Sequence, residues 1–276
     1  MTRQATGMTA IVVMPTYNEA ENLRQTAMRL RQAAPSVHLL VVDDASPDGT
    51  GRIADGLSAA DPHIHVLHRT VKDGLGAAYR AGMDWALHQG YDLIFEMDAD
   101  GSHQPEQLPA LLAGILDTGA DIVVGSRWTP GGQTVNWPLS RRLISRAGSA
   151  YARTALRLRT RDVTSGYRAY TREALEAIGV QTLSSQGYCF QIDMLRRAAA
   201  AGLHIAEEPI TFVERQHGKS KMTPGIVAEA MIRVTAWALH RPPVATQDRA
   251  RRRRGNPGAR VETNILLAPP DHAEGR

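Results

Sequence analysis

Short runs of aliphatic and β-branched residues, most of them closing on a polar or acidic group and leading into a helix-length stretch, constrain this chain more than any other feature. Ala10 to Met14 closes on Pro15, Val37 to Val42 on Asp43-Asp44, Tyr91 to Phe95 just before Asp98, and Asp121 to Gly125 on Ser126-Arg127; His63 to Leu67 is a further run. Helices are expected up to about Ala34 with Leu23, Ala27, Leu30 and Ala34 on one face, through Leu57 after the turn Ser46-Pro47-Asp48-Gly49-Thr50, and from Ala77 to His88. Asn18 to Leu23 supplies a cap residue and first-turn acids for the first of these. Apolar strands alternating with helices predict an α/β fold with a mainly parallel central sheet and helices on both faces. Ligands of such sheets bind beyond the carboxyl ends of the strands. Pro15 to Glu19, Asp43-Asp44, Asp98 to Ser102 and Ser126-Arg127 are therefore expected on one rim.

After Arg127 the pattern changes. Pro138 to Arg157 reads as a basic helix, Val163 to Tyr170 and His204 to Val213 as strands, with helices near Glu173 and from Gln191 to Ala201. Ile226 to His240 reads as a helix with Val227, Met231, Val234 and Ala238 facing one way, which suits packing on the sheet and lying at a membrane interface equally well. Beyond Pro242-Pro243 the composition turns to Arg, Gly, Pro and Ala. The expected division is a domain over 8–241 and a basic, disordered tail over 242–276.

Composition removes several function classes. One cysteine, Cys189, leaves no disulfide framework and no cysteine-based zinc site, and reads as a core thiol. An aromatic fraction of 5% offers little for single-strand nucleic-acid stacking. The polar start and the lack of a bilayer-length apolar run predict a cytoplasmic protein, soluble or held at a membrane surface. Net charge is +4, with arginines crowded between Arg141 and Arg161 and between Arg249 and Arg254, so an anionic partner is expected. Nucleic acid fits poorly, because acids occupy the ordered half that it would have to approach.

The stretch Phe95 to Pro105 holds the chemistry. Asp98 and Asp100 are two carboxylates one residue apart at a strand end, oxygen ligands suited to a hard cation, Mg²⁺ or Mn²⁺, which could hold a diphosphate. Alone, such a pair reads as a turn; on a shared rim it reads as a site. Gly74-Leu75-Gly76 lacks the third glycine of a dinucleotide fingerprint and reads as a turn opening a helix. His63 and His65 share one face of a strand, and no histidine spacing fits a metal site. No nucleophile elbow is present.

Several motifs taken together resemble the inverting nucleotide-sugar glycosyltransferases of family 2, and within it the dolichol- or polyprenyl-phosphate mannose synthases. They are Met14 to Glu19, Val41 to Thr50, Gly74 to Tyr79, Met97 to His103, Val124 to Arg127, Asp162 to Arg168, Gly187 to Gln191 and Gly218 to Lys221. The form Ser46-Pro47-Asp48-Gly49-Thr50 after Asp44 is the part most specific to that subgroup. The resemblance implies a GT-A-type nucleotide-sugar-binding domain and transfer of mannose from GDP-mannose to a polyprenyl phosphate at the cytoplasmic face of a membrane. It places the guanine nucleotide on Pro15, Tyr17, Glu19, Val42 and Asp44, and the nucleotide-sugar along Asp98 and Ala99. Asp100 is the implied metal ligand, with Ser102 a weaker second. Arg127, Arg215 and Lys221 are implied contacts to diphosphate or acceptor phosphate, and Arg141 and Ser145 complete the acceptor-phosphate site. Asp100 and Arg127 are the implied catalytic residues. UDP-glucose remains the alternative donor, since strand-end motifs fix a diphosphate better than a base or a sugar.

Overall fold

The computed structural model describes residues 7–183, 185, 187–215 and 224–240, with the backbone alone at 188 and 224–227. The first half builds three strand–helix units: β1 (Ala10–Thr16) and α1 (Leu23–Ala33), β2 (His38–Asp43) and α2 (Thr50–Ala60), β3 (Ile64–His68) and α3 (Leu75–His88). Then come β4 (Leu93–Glu96), α4 (Leu108–Thr118), β5 (Ile122–Ser126), β6 (Gln133–Val135) and α5 (Leu139–Leu156). The last elements are β7 (Arg168–Thr171), α6 (Arg172–Ile178), α7 (Gly187–Ala200), β8 (Ile205–Pro209), β9 (Thr211–Val213) and α8 (Pro224–Leu239).

The central sheet has the order β3-β2-β1-β4-β7-β5-β8. Only β7 runs antiparallel, wedged between β4 and β5; every other pairing is parallel. Alternation along each strand sends its side chains into two separate cores. Ile11, Val13, Leu40, Val42 and Ile94 pack with α3, α6 and α7, while Val12, Met14, Leu39, Val41 and Phe95 pack with α1, α2 and α4. A Cβ on Gly82 would lie 2.4 Å from Val13 Cγ1, so only glycine lets α3 approach the sheet this closely.

Three expectations change. The run Val163 to Tyr170 is a strand only from Arg168 onward. The fully buried Arg168 guanidinium donates to the carbonyls of Ser165, Val163 and Gln191 at 2.8–2.9 Å, so side-chain bonds replace ladder bonds and Val163 to Tyr167 is a loop. The run His204 to Val213 splits at Ile210; Pro209 closes β8, and β9 leaves to pair with β6 in a two-stranded sheet. The stretch Asn18 to Leu23 does place a cap residue, Asn22, before α1, but its side chain donates to Glu19 instead of capping the helix, and no acid lies in the first turn. The helix α8 packs on α5 and α7 rather than on the sheet, burying Val234 and leaving Ile232 and Leu239 exposed. The expected tail, 242–276, lies outside the described residues, as does Arg241.

Candidate active site

The parallel strands bring the expected polar ends to one rim, and the loops there are fastened to one another. The Asn18, Glu19 and Ala20 backbone N–H groups donate to Ser46 Oγ (3.1 Å), Thr50 Oγ1 (2.9 Å) and Asp48 Oδ2 (3.1 Å) respectively. Asp48 Oδ1 also receives the Thr50 N–H and hydroxyl. Burial alone would raise the Asp48 carboxyl; the hydrogen bonds from Thr50 and Ala20 outweigh it and hold the group below the usual carboxylate range. The Ser-Pro-Asp-Gly-Thr segment therefore works as a clamp on the neighbouring loop, a role its turn-like composition does not announce.

Within this half of the rim, Tyr17 lies under Lys72, whose Nζ sits 3.7 Å from the ring centroid. Asp44 is nearly buried and paired with Arg69, and its other oxygen takes the Gly74 N–H. Glu19 accepts from the Asn22 side chain at 2.8 Å. Pro15, Val42 and Ala99 are buried in the sheet core, so a ligand meets Val42 and Ala99 only through their backbone.

The carboxylates of the β4 end face different partners. Asp98 Oδ1 receives the Tyr79 hydroxyl at 3.0 Å, and the Asp98 N–H donates to His103 Nδ1 at 3.1 Å. Burial raises the Asp98 carboxyl and lowers the His103 imidazole, whose remaining proton then sits on Nε2. Tyr79 is pushed well above its ordinary value by burial and by Asp98, so its hydroxyl stays a donor. Asp100 Oδ1 receives the Ser102 N–H at 3.0 Å and Oδ2 lies 3.2 Å from Arg215 Nη2. Ser102 Oγ is buried with no hydrogen-bond partner among the described residues.

Among the described residues no three His, Cys, Asp or Glu side chains converge as a metal cluster. The donor set nevertheless fits a hard cation: Asp100 carboxylate and the orphaned Ser102 hydroxyl are oxygen ligands, and a cation that keeps waters and binds substrate phosphates needs no more than one or two carboxylates from the protein.

Beyond Asp98 the rim opens into a cavity of about 130 Å³ between the β5 end, α5 and α8. Its lining combines Asp98, Arg127, Arg141, Ser145 and Arg215 with the apolar Ile144, Tyr151, Ile192, Met231 and Val234. The expected acceptor-phosphate residues Arg127, Arg141 and Ser145 are thus brought together, with Arg215 beside them. Arg127 is 6% exposed and held by Asp162, which takes its Nε and Nη2 at 2.7 Å each, while Nη2 also reaches Thr164. Arg141 stacks 4.1 Å over Trp137 and pairs with Glu214. Asp162, Tyr79, Trp137, Phe212 and Glu214 were not singled out from the sequence. Of these Tyr79 and Asp162 lie within motif segments quoted above, though neither was given a role there. Lys221 lies outside the described residues.

The model of glycosyl transferase family 2 matches residues 11–179. The chain belongs to that family. Within family 2, it is 57% identical over 232 residues to the undecaprenyl-phosphate mannosyltransferase of Micrococcus luteus, covering 84% of this chain and 95% of that one. It is 52% identical over 230 residues to the polyprenol monophosphomannose synthase of Mycolicibacterium smegmatis, covering 83% and 86%. Among solved family-like folds, the glucosyl-3-phosphoglycerate synthase of Mycobacterium tuberculosis with Mn²⁺ and UDP-glucose superposes with TM-score 0.57 at 21% identity over 84% and 79% of the chains. The mannosyltransferase PcManGT of Pyrobaculum calidifontis with GDP-mannose and Mn²⁺ gives 0.53 at 17% identity over 91% and 77%. These two establish the GT-A fold. No described helix is long and apolar enough to cross a membrane.

Proposed function

We propose that the chain transfers mannose from GDP-mannose to a polyprenyl phosphate, with inversion, yielding a polyprenyl-phosphate β-mannose. The observation that carries this is the continuity of the site. Asp98 lines a cavity that combines three arginines with apolar helix residues, the mixed polarity that a lipid phosphate requires. The names of relatives at 52% and 57% identity support the same acceptor class and the same sugar. The guanine nucleotide is assigned to the Tyr17, Glu19 and Asp44 end of the rim, with Lys221 a further phosphate contact.

In the reaction an oxygen of the acceptor phosphate attacks the anomeric carbon while the bond from that carbon to the diphosphate breaks on the opposite face. The acceptor is anionic at neutral pH, so no residue has to remove a proton. Asp100 and Ser102 would hold Mg²⁺ or Mn²⁺, which when bound neutralises charge on the departing diphosphate. Arg215 lies next to Asp100 and adds a cation at the same place. Arg127, fixed by Asp162, and Arg141, fixed by Trp137 and Glu214, present guanidinium groups to the acceptor phosphate with Ser145 one turn further along α5. Tyr79 and His103 keep Asp98 in place beside the sugar.

The acceptor's apolar tail argues for a peripheral position at a membrane surface, and the proposal takes the cytoplasmic face. Exposed Leu139, Leu143, Ile232 and Leu239 on α5 and α8 support it.

The test incubates the protein with labelled GDP-mannose, Mg²⁺ and a polyprenyl phosphate, followed by organic extraction. Label should enter the lipid phase, require the cation, and drop at least a hundredfold in Asp100→Ala. No transfer to any lipid phosphate would sink the proposal, and transfer from UDP-glucose instead would replace the donor.

A further inference from the structure

The face of α5 turned away from the catalytic cavity carries a second set of arginines. Arg142, Arg146 and Arg153 are four and seven residues apart, a spacing that stacks them along one stripe of the helix. Arg161, from the loop after α5, joins them, and the four line two adjoining clefts with Trp128 and the 129–134 loop. Arg127 lines both the larger cleft and the catalytic cavity, and so stands between them.

Among the described residues none of these four guanidinium groups has an acidic partner; Arg146 sits 5.2 Å from the centre of the Trp128 ring instead. That sets them apart from Arg29, Arg31, Arg69, Arg141 and Arg215, each paired with a carboxylate. Three of these arginines border each cleft, and like charges so placed repel one another unless an anion enters. Two further groups in the wall lack a partner among the described residues: Trp128 Nε1, a donor, and Thr134 Oγ1, a hydroxyl that can donate, are both buried without a hydrogen bond. The ligand implied is an anion rich in acceptor oxygens, which a phosphate supplies.

Its source is indicated by the neighbouring face of α5. Leu139 and Leu143 are 68% and 59% exposed beside the arginine stripe. Arginines bordering solvent-exposed leucines suit the boundary between headgroups and acyl chains, where phosphate and hydrocarbon meet. We propose that this cleft holds the phosphate of an anionic phospholipid headgroup distinct from the acceptor, and so seats α5 on the membrane. The proposal rests on the membrane contact given above but not on the reaction.

The full chain is sedimented, without donor or acceptor, with vesicles of phosphatidylcholine alone or mixed with phosphatidylglycerol. Arg146→Gln/Arg153→Gln is compared with Arg24→Gln/Arg52→Gln, which removes the same charge from α1 and α2 on the opposite face of the sheet. At about fivefold per arginine near an anionic surface, the cleft variant should bind the mixed vesicles roughly 25-fold more weakly, and the control should change little. Equal losses in both variants, or no loss in either, overturn the proposal. Titration with inorganic phosphate is the second arm. Phosphate binding that the cleft variant loses while its vesicle binding persists would assign the cleft to a soluble anion and overturn the lipid source. Mannose transfer in detergent should be the same in the cleft variant and the wild type, which separates failure here from failure of the proposed reaction.

Discussion

Asp162 receives Nε and Nη2 of Arg127 at 2.7 Å each and the Arg127 backbone N–H at 3.0 Å. Burial would raise this carboxyl, yet the charge and hydrogen bonds of Arg127 hold it below the usual carboxylate range, so the pair is ionised at neutral pH. Asp162→Asn leaves a buried guanidinium without its counter-charge, and urea denaturation should register a loss of about 3–5 kcal/mol. Mannose transfer should fall with it. Stability equal to wild type would show that Arg127 is held by something else.

The clamp formed by Asp48 predicts a different phenotype. Asp48→Ala removes the acceptor for the N–H groups of Ala20 and Thr50 and loosens the loop carrying Tyr17 and Glu19. Calorimetric affinity for GDP should fall about tenfold or more, on the scale of about 1–3 kcal/mol for unsatisfied donors, while the acceptor KM stays the same. A change in the acceptor KM alone would contradict the assignment of this loop to the nucleotide.

Glu96 predicts an alkaline weakness. Burial pushes its carboxyl up to about 7, with the Arg168 charge opposing. The native state therefore keeps a proton that the unfolded chain releases near pH 4.5. A raised folded-state value means its contribution to stability is complete below pH 4.5 and disappears as the pH rises through 7. Thermal unfolding of Glu96→Gln between pH 5 and 8.5 should lack that decline; an identical decline in the variant would remove Glu96 as its cause.

An acid-side weakness lies at the other end of the sheet. His38 Nδ1 is 3.0 Å from His65 Nε2 and 2.7 Å from the Tyr91 hydroxyl, with the His63 ring packed edge-on against His38. Burial lowers both His38 and His65 from 6.5, so the fold favours their neutral forms. Their contribution is present above pH 6.5 and is lost as the pH falls through the lowered values. His38→Asn/His65→Asn should unfold with a shallower dependence on pH between 7 and 5; an unchanged slope would clear the cluster of responsibility.

Much of this could be read from the residues, because buried parallel strands leave an unmistakable alternation of apolar runs and helices. The strand ends at Pro15, Asp43, Asp98 and Arg127 fall on one rim for that reason. What could not be read follows from physics that pattern does not encode. Nothing in Arg168 to Thr171 states which way the strand runs, and an arginine at its start argues against a strand buried on both sides. His63 and His65 read as a surface pair, since His38 and Tyr91 join them only through the sheet. Asp44 reads as free for a nucleotide, yet Arg69, which it meets through tertiary structure, already holds it.

The reversed strand β7 also sets a length. Neighbouring strands lie about 4.8 Å apart, so inserting one between β4 and β5 separates the Asp98 strand from the Arg127 strand by about 10 Å. That is room for one hexose ring between a leaving group and an incoming phosphate. On the proposed reaction the sheet would serve as a ruler for a single sugar, and the helices beyond β5 could be exchanged to suit other acceptors without altering that gauge.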